Sequence, residues 1–187
     1  VTKQFPAVGI LLLEQDGLLR VEDPISKFLP DYPRGDEITL RHLLSHTSGI
    51  VEYTRAPEFW SNIRLEMPHE EFTGVFRDKP LDFEPGAGWS YSNSGYHLLG
   101  IVIENASGMT YEEFMQSRVF SPLGLDDTGY DRPDRILKRR AAGYDRFDGE
   151  YKNRRFWDIS QLFSAGGLYS TVGDLHAWNR AIMHDQL

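Results

Sequence analysis

Apolar residues fill almost every position near the start of the chain: Phe5, Ala7, Val8, Ile10, Leu11, Leu12 and Leu13 follow one another with only Pro6 and Gly9 between them. A run without a polar face predicts a helix over 3–15 that lies in a core, with Gly17 placed to end it. Pro6 is tolerated only in a first turn, so this helix must begin close to Val1. A second apolar helix is predicted over 94–107, closed by Gly108. The stretch leading into it, residues 84–93, reads Glu-Pro-Gly-Ala-Gly-Trp-Ser-Tyr-Ser-Asn. Its glycines and proline permit a tight loop, and the helix behind gives Tyr91 and Asn93 a rigid base.

Between and beyond these two helices the pattern is also mainly helical. A short helix runs from Pro24 to Phe28, followed by turns over 30–35. Thr39 is placed to cap a helix over 41–46, closed by Thr47-Ser48-Gly49, and helices are predicted over 57–64 and 68–77. Thr110 with Glu113 forms a capping box for a helix ending before Pro122. From Gly143 the texture changes: Tyr144, Phe147, Tyr151, Phe156 and Trp157 flank an Asp148-Gly149 turn signal, which predicts a hairpin. The glycines of Ala165-Gly166-Gly167 permit a close backbone approach or a tight turn. That stretch passes into a last helix capped by Thr171 and Asp174, with Leu175, Trp178 and Ile182 on its inner face.

Composition fits one globular domain: 187 residues, 40% hydrophobic and 26% charged, with no repeat or linker. No apolar run approaches the roughly twenty residues that span a bilayer. A formal charge of −8 opposes nonspecific binding to nucleic acid and anionic lipid, and Lys138-Arg139-Arg140 reads as a solvated face. The absence of cysteine excludes disulfides, thiol nucleophiles and thiolate metal sites while leaving the compartment open. The chain opens at Val1 without an initiating Met and stops at Leu187 inside a helical pattern, so it is expected to be a piece of a longer protein that holds any signal or anchor.

Several stretches, in order, carry a resemblance. Val1-Thr2-Lys3 ahead of the apolar helix, Asp23-Pro24-Ile25-Ser26-Lys27-Phe28-Leu29-Pro30, Leu43-Leu44-Ser45-His46-Thr47-Ser48-Gly49, Pro85-Gly86 with Tyr91-Ser92-Asn93, Pro122-Leu123-Gly124-Leu125 and Ala165-Gly166-Gly167-Leu168 together span the chain. The pattern resembles the serine β-lactamase and penicillin-binding protein superfamily, in its class C-like branch. There the first motif is Ser-x-x-Lys, whose Lys would be Lys3 and whose Ser would directly precede Val1. The second is Tyr-x-Asn, which falls on Tyr91 and Asn93.

The resemblance implies an α/β fold of the β-lactamase/transpeptidase type, with this chain mostly its helical domain and the flanking sheet strands outside 1–187. It implies acyl transfer on a β-lactam, a D-alanyl peptide or an ester, with no cofactor or metal, no nucleic-acid partner, and a periplasmic or extracellular setting favoured. Lys3 is expected to act as base, Tyr91 as proton carrier and Asn93 as substrate-amide ligand. A lysine serves as base only when burial or positive neighbours lower its pKa. His42 and His46 have metal-ligand spacing, but no glutamate and no third ligand accompany them, so a structural role is expected. His46-Thr47-Ser48-Gly49 imitates the superfamily's third motif yet precedes Tyr91, so it reads as a helix-ending turn, with the true third motif beyond Leu187. The competing reading is a noncatalytic scaffold that retains the fold. Without the serine, the chain alone is expected to be inactive. Its Val8-to-Leu13 helix, lacking the sheet, should expose apolar surface and promote association.

Overall fold

In the computed structural model, which describes residues 1–184, one apolar helix forms the axis and the others pack around it. That helix, α5 (Asn93–Ser107), is buried over Ser94–Gly100 and again at Val102 and Ile103. It starts one residue earlier than expected because Ser92 caps it, its Oγ accepting from the Gly95 amide at 3.0 Å. Gly108, in the left-handed region with φ 72°, ends it.

The earlier elements are α1 (Gln4–Gln15), α2 (Leu40–Leu44), α3 (Pro57–Asn62) and α4 (His69–Thr73), with a 3-10 turn at Ile25–Lys27. After α5 come α6 (Tyr111–Met115), which continues as a π-helical turn over Gln116–Phe120, then α7 (Phe163–Gly166) and α8 (Val172–Met183). The chain is thus largely helical. Its strands are short: β1 (Gly129–Tyr130) pairs antiparallel with β4 (Leu168–Tyr169), and β2 (Tyr144–Phe147) with β3 (Glu150–Asn153). The second pair is the expected hairpin, turned by Asp148 and Gly149 at φ 49° and 86°. Tyr144, Phe147 and Tyr151 stand exposed on it.

Capping explains several boundaries. Thr39 accepts from the His42 amide while His42 Nδ1 accepts from the Thr39 amide, a reciprocal cap with histidine where glutamate is usual. Helices α2, α3 and α4 are shorter than their patterns predict. The Thr110–Glu113 box is present. At α8, Thr171 caps as expected, but the Asp174 carboxylate instead accepts from the Asp127 amide and the Thr128 hydroxyl, tying α8 to the turn before β1.

Helix α1 packs on α5 and α6 through Phe5, Ile10, Leu12 and Leu13. Of the Val8-to-Leu13 run Leu11 is 50% exposed and Val8 is partly buried, while Ile10, Leu12 and Leu13 are buried, so the helical packing leaves a narrower apolar face than expected. Trp178 of α8 stacks on Phe5 with ring centroids 4.3 Å apart. Ile182, expected on the inner face of α8, is 44% exposed; Ala181 takes the buried position instead. Trp178 and Ala181, one turn apart, form the buried row, with Ala177 partly buried beside it, and residue 182 lies on its edge near the exposed end of the helix.

At Gly100 the crossing of α5 and α7 leaves no room for a side chain: a Cβ there would lie 2.2 Å from Ser164 Oγ. This close approach sets the position of the α7 backbone. The Ser164 hydroxyl then donates to the Tyr96 carbonyl at 2.7 Å, fixing the carbonyl that follows it at Ala165.

Candidate active site

Three segments far apart in sequence meet at one ammonium group. Lys3 stands just ahead of α1, partly buried, and its Nζ donates to Asn93 Oδ1 at 2.6 Å and to the Ala165 carbonyl at 2.8 Å. The Tyr91 ring centroid lies 4.7 Å from the same nitrogen and the Tyr96 centroid 5.3 Å. All three residues singled out in the sequence are therefore side by side. Tyr91, 48% exposed, is the one that faces solvent.

The loop bearing Tyr91 is held by the turn that follows α2. Backbone amides of Gly86 and Ser90 donate to the Thr47 and His46 carbonyls at 2.8 and 3.0 Å, and Asp82 donates to Gly49 at 2.7 Å. Gly49 has φ 75°, and a Cβ there would meet the Phe83 carbonyl oxygen at 1.9 Å, so this contact admits glycine alone. His46, also at positive φ (62°), accepts the Ser92 amide on Nδ1 at 3.2 Å and lies against Tyr91 and Tyr96, with centroids at 4.8 and 5.0 Å. The Thr47-Ser48-Gly49 turn is thus a support for the second motif.

The opposite wall is the segment that follows this turn. Ser92 Oγ approaches the Ile50 carbonyl at 3.4 Å, Ser94 Oγ donates to the Val51 carbonyl at 2.6 Å, and the Tyr53 amide donates to Ser94 Oγ at 2.9 Å. Between them Glu52, 6% exposed, accepts from Asn93 Nδ2 at 2.8 Å, from the Asn93 backbone amide and from the Thr54 amide at 3.2 Å. Both ends of the Asn93 side chain are therefore engaged within the chain.

These placements polarise the groups in different directions. Burial lowers the Lys3 ammonium from 10.5 to about 8, against the opposing pull of the Glu52 carboxylate. Burial and Glu52 raise the Tyr91 phenol above its usual value. His46 is pushed down, mainly by burial and then by Lys3, and so stays neutral near pH 7. A partly neutral amine beside a protonated phenol can accept a proton and pass one on.

Sequence reasoning passed over Glu52, Tyr96 and the Ala165 carbonyl, and gave His46 only a turn. No periodicity marks them, since each owes its place to a contact more than forty residues away. His42 and His46 serve separate partners, and no cluster of three or more metal-type ligands occurs among the described residues. The broad surface groove lined by Met67, Tyr130, Arg132 and Asp158 contains none of Lys3, Tyr91 or Asn93. Convergence of polar groups, and not depth, marks this site.

The family model described as Beta-lactamase matches residues 1–187. The chain belongs to the beta-lactamase family. Within that family it is 39% identical over 151 residues to a penicillin-binding protein of Bacillus subtilis (strain 168), a match covering 77% of this chain and 33% of the relative. Among solved structures, the penicillin binding protein from Bacillus halodurans superposes with a TM-score of 0.83 at 32% identity, covering 99% of this chain and 59% of that one. The D-amino acid amidase from Ochrobactrum anthropi SV3, complexed with L-phenylalanine, gives a TM-score of 0.87 at 31% identity, covering 99% and 54%. The β-lactamase/transpeptidase-like fold expected from the sequence is thus shown. This beta-lactamase family chain spans 33% of the first of those relatives and 45% of a second from the same strain, named PbpX.

Proposed function

We propose that this chain carries the base, proton carrier and amide clamp of a serine acyl-transfer enzyme, as the helical part of a longer class C-like hydrolase. The observation that supports this most is the single point at which Lys3, Asn93, the Ala165 carbonyl and Tyr91 converge, with Lys3 lowered to about 8. A serine three residues before Lys3, directly ahead of Val1, would share its helical side at the N-terminal end of α1, where the helix dipole favours an anionic oxygen.

In the first step the serine oxygen bonds to the acyl carbon as its proton passes to the neutral Lys3 Nζ, and the carbonyl π pair moves to the oxygen. Backbone amides outside this chain would hold that oxyanion. Collapse re-forms the carbonyl and breaks the bond to the leaving amine or alkoxide, which takes a proton through Tyr91. Water then repeats the sequence on the acyl-enzyme, giving a carboxylic acid and free serine. The raised Tyr91 keeps its proton at neutral pH, which suits a carrier better than a base.

Substrates proposed are acyl compounds of the β-lactam, D-alanyl peptide or ester type. The neighbours named for penicillin binding and for D-amino acid amidase activity weight the choice towards amides. A stoichiometric adduct on the serine before Val1, read by mass spectrometry after exposure of the parent protein to fluorescent penicillin or fluorophosphonate, is the expected result. Tyr91→Phe should lower turnover about a hundredfold with little loss of folding. An adduct on another residue, or none with any acylating probe, would refute the assignment.

A further inference from the structure

The geometry points to Glu52 as a positioning residue: its carboxylate grips Asn93 by backbone and side chain and so decides which end of the Asn93 amide meets Lys3. This inference rests on Lys3 acting as the base. A primary amide has a donor end and an acceptor end, and turning it over exchanges them at almost no change in shape. A carboxylate can only accept. Buried at 6% exposure and facing both Asn93 Nδ2 and the Asn93 backbone amide, Glu52 admits one orientation, with nitrogen towards itself and Oδ1 towards Lys3.

The consequence falls on the Lys3 lone pair. In the observed orientation two Lys3 N–H groups are committed, to Asn93 Oδ1 and to the Ala165 carbonyl. The neutral amine then keeps its electron pair on the remaining tetrahedral direction, free to accept a proton. A turned-over Asn93 would instead donate into that pair and block the base. The Thr54 amide, at 3.2 Å from Oε1, holds the carboxylate itself in place. Glu52 is also the acid whose charge opposes the burial-driven lowering of Lys3. One buried carboxylate thus sets the direction of the lone pair and moderates how readily it forms.

Glu52→Gln is nearly isosteric but brings its own amide, whose N–H end must confront one of the three donors that the carboxylate accepts. The proposal expects kcat of the parent protein to fall about tenfold to a hundredfold, the scale of an Å-level misplacement of a catalytic group. It also expects the acid limb of the pH–rate profile to move to lower pH. The Lys3 titration, followed by NMR of 13Cε-labelled lysine in the folded protein, should shift the same way, and this readout does not depend on turnover. A purely structural role would reduce the folded fraction and leave both pH midpoints where they are. Glu52→Gln combined with Asn93→Ala should be no slower than Asn93→Ala alone, because Glu52 acts through Asn93.

Should Glu52→Gln fail to fold, Glu52→Asp decides: it keeps the charge with a shorter arm, so the Lys3 midpoint should stay near that of the parent while kcat falls. Unmoved midpoints in folded Glu52→Gln, multiplicative losses in the double variant, or full activity in Glu52→Asp would overturn the inference. Absence of acylation in the parent protein with Lys3 still shifted by Glu52→Gln would refute the serine-hydrolase reading and leave the Glu52–Lys3 linkage standing.

Discussion

His97 offers a direct measure of how dry the centre of this fold is. It lies on α5 with no exposed surface, among the rings of Phe72, Phe163, His69 and Phe76 at centroid distances of 4.9, 5.3, 5.6 and 6.0 Å. Neither ring nitrogen has a hydrogen-bond partner. Burial, helped by the neighbouring His69 and weakly opposed by the His69 backbone, lowers its pKa from 6.5 to about 3. The folded value is depressed, so the unfolded chain binds the proton first. Stability from the neutral form is therefore complete above pH 6.5 and is lost as pH falls from there towards 3. The slope is about 1.4 kcal/mol per pH unit, or roughly 2 kcal/mol between pH 6.5 and 5. For a chain of this size that is about 4–8 °C in Tm.

Replacing the ring by a hydrocarbon of similar volume removes the term. His97→Leu should therefore gain about 4–8 °C on the parent between pH 8 and pH 5, whatever its absolute stability at pH 8. Comparing the two melting curves as differences at each pH cancels the carboxylates and the other histidines common to both. Scanning fluorimetry or calorimetry in buffers of constant ionic strength reads the effect. Parallel curves for the two proteins from pH 8 to pH 5 would show that His97 is protonated or hydrated in the folded state, and the reasoning from burial would fall.

Two further outcomes are expected. Gly100→Ala drives a Cβ to 2.2 Å from Ser164 Oγ and 2.4 Å from Phe163 Cε1, and should cost about 1–3 kcal/mol by thermal or urea melting; an unchanged midpoint would mean that α7 yields freely. With Lys3 at about 8 and required neutral, kcat/KM of the parent protein should rise about tenfold per pH unit up to that value and then level off, and a flat profile from pH 6 to 9 would remove Lys3 as the base.

The sequence by itself determined the elements whose signals are local. Apolar runs placed α1 and α5, threonine caps placed the starts of α2, α6 and α8, and Asp148-Gly149 placed the hairpin, because hydrophobic period and turn chemistry act over a few residues. Motif spacing also singled out Lys3, Tyr91 and Asn93, and the family was legible from ordered motifs along the whole chain. Tertiary structure alone decided the rest. Which side of α8 is buried followed from Trp178 stacking on Phe5, with Ile182 on its edge, and how much of α1 is exposed followed from its seat between α5 and α6. The partners that tune the site were invisible in the pattern: Glu52 reaches Asn93 across 41 positions and Ala165 reaches Lys3 across 162. A pKa lowered by burial, and an amide turned one way by a carboxylate, exist only once the chain has closed around them, because both arise from desolvation and contact and not from residue type.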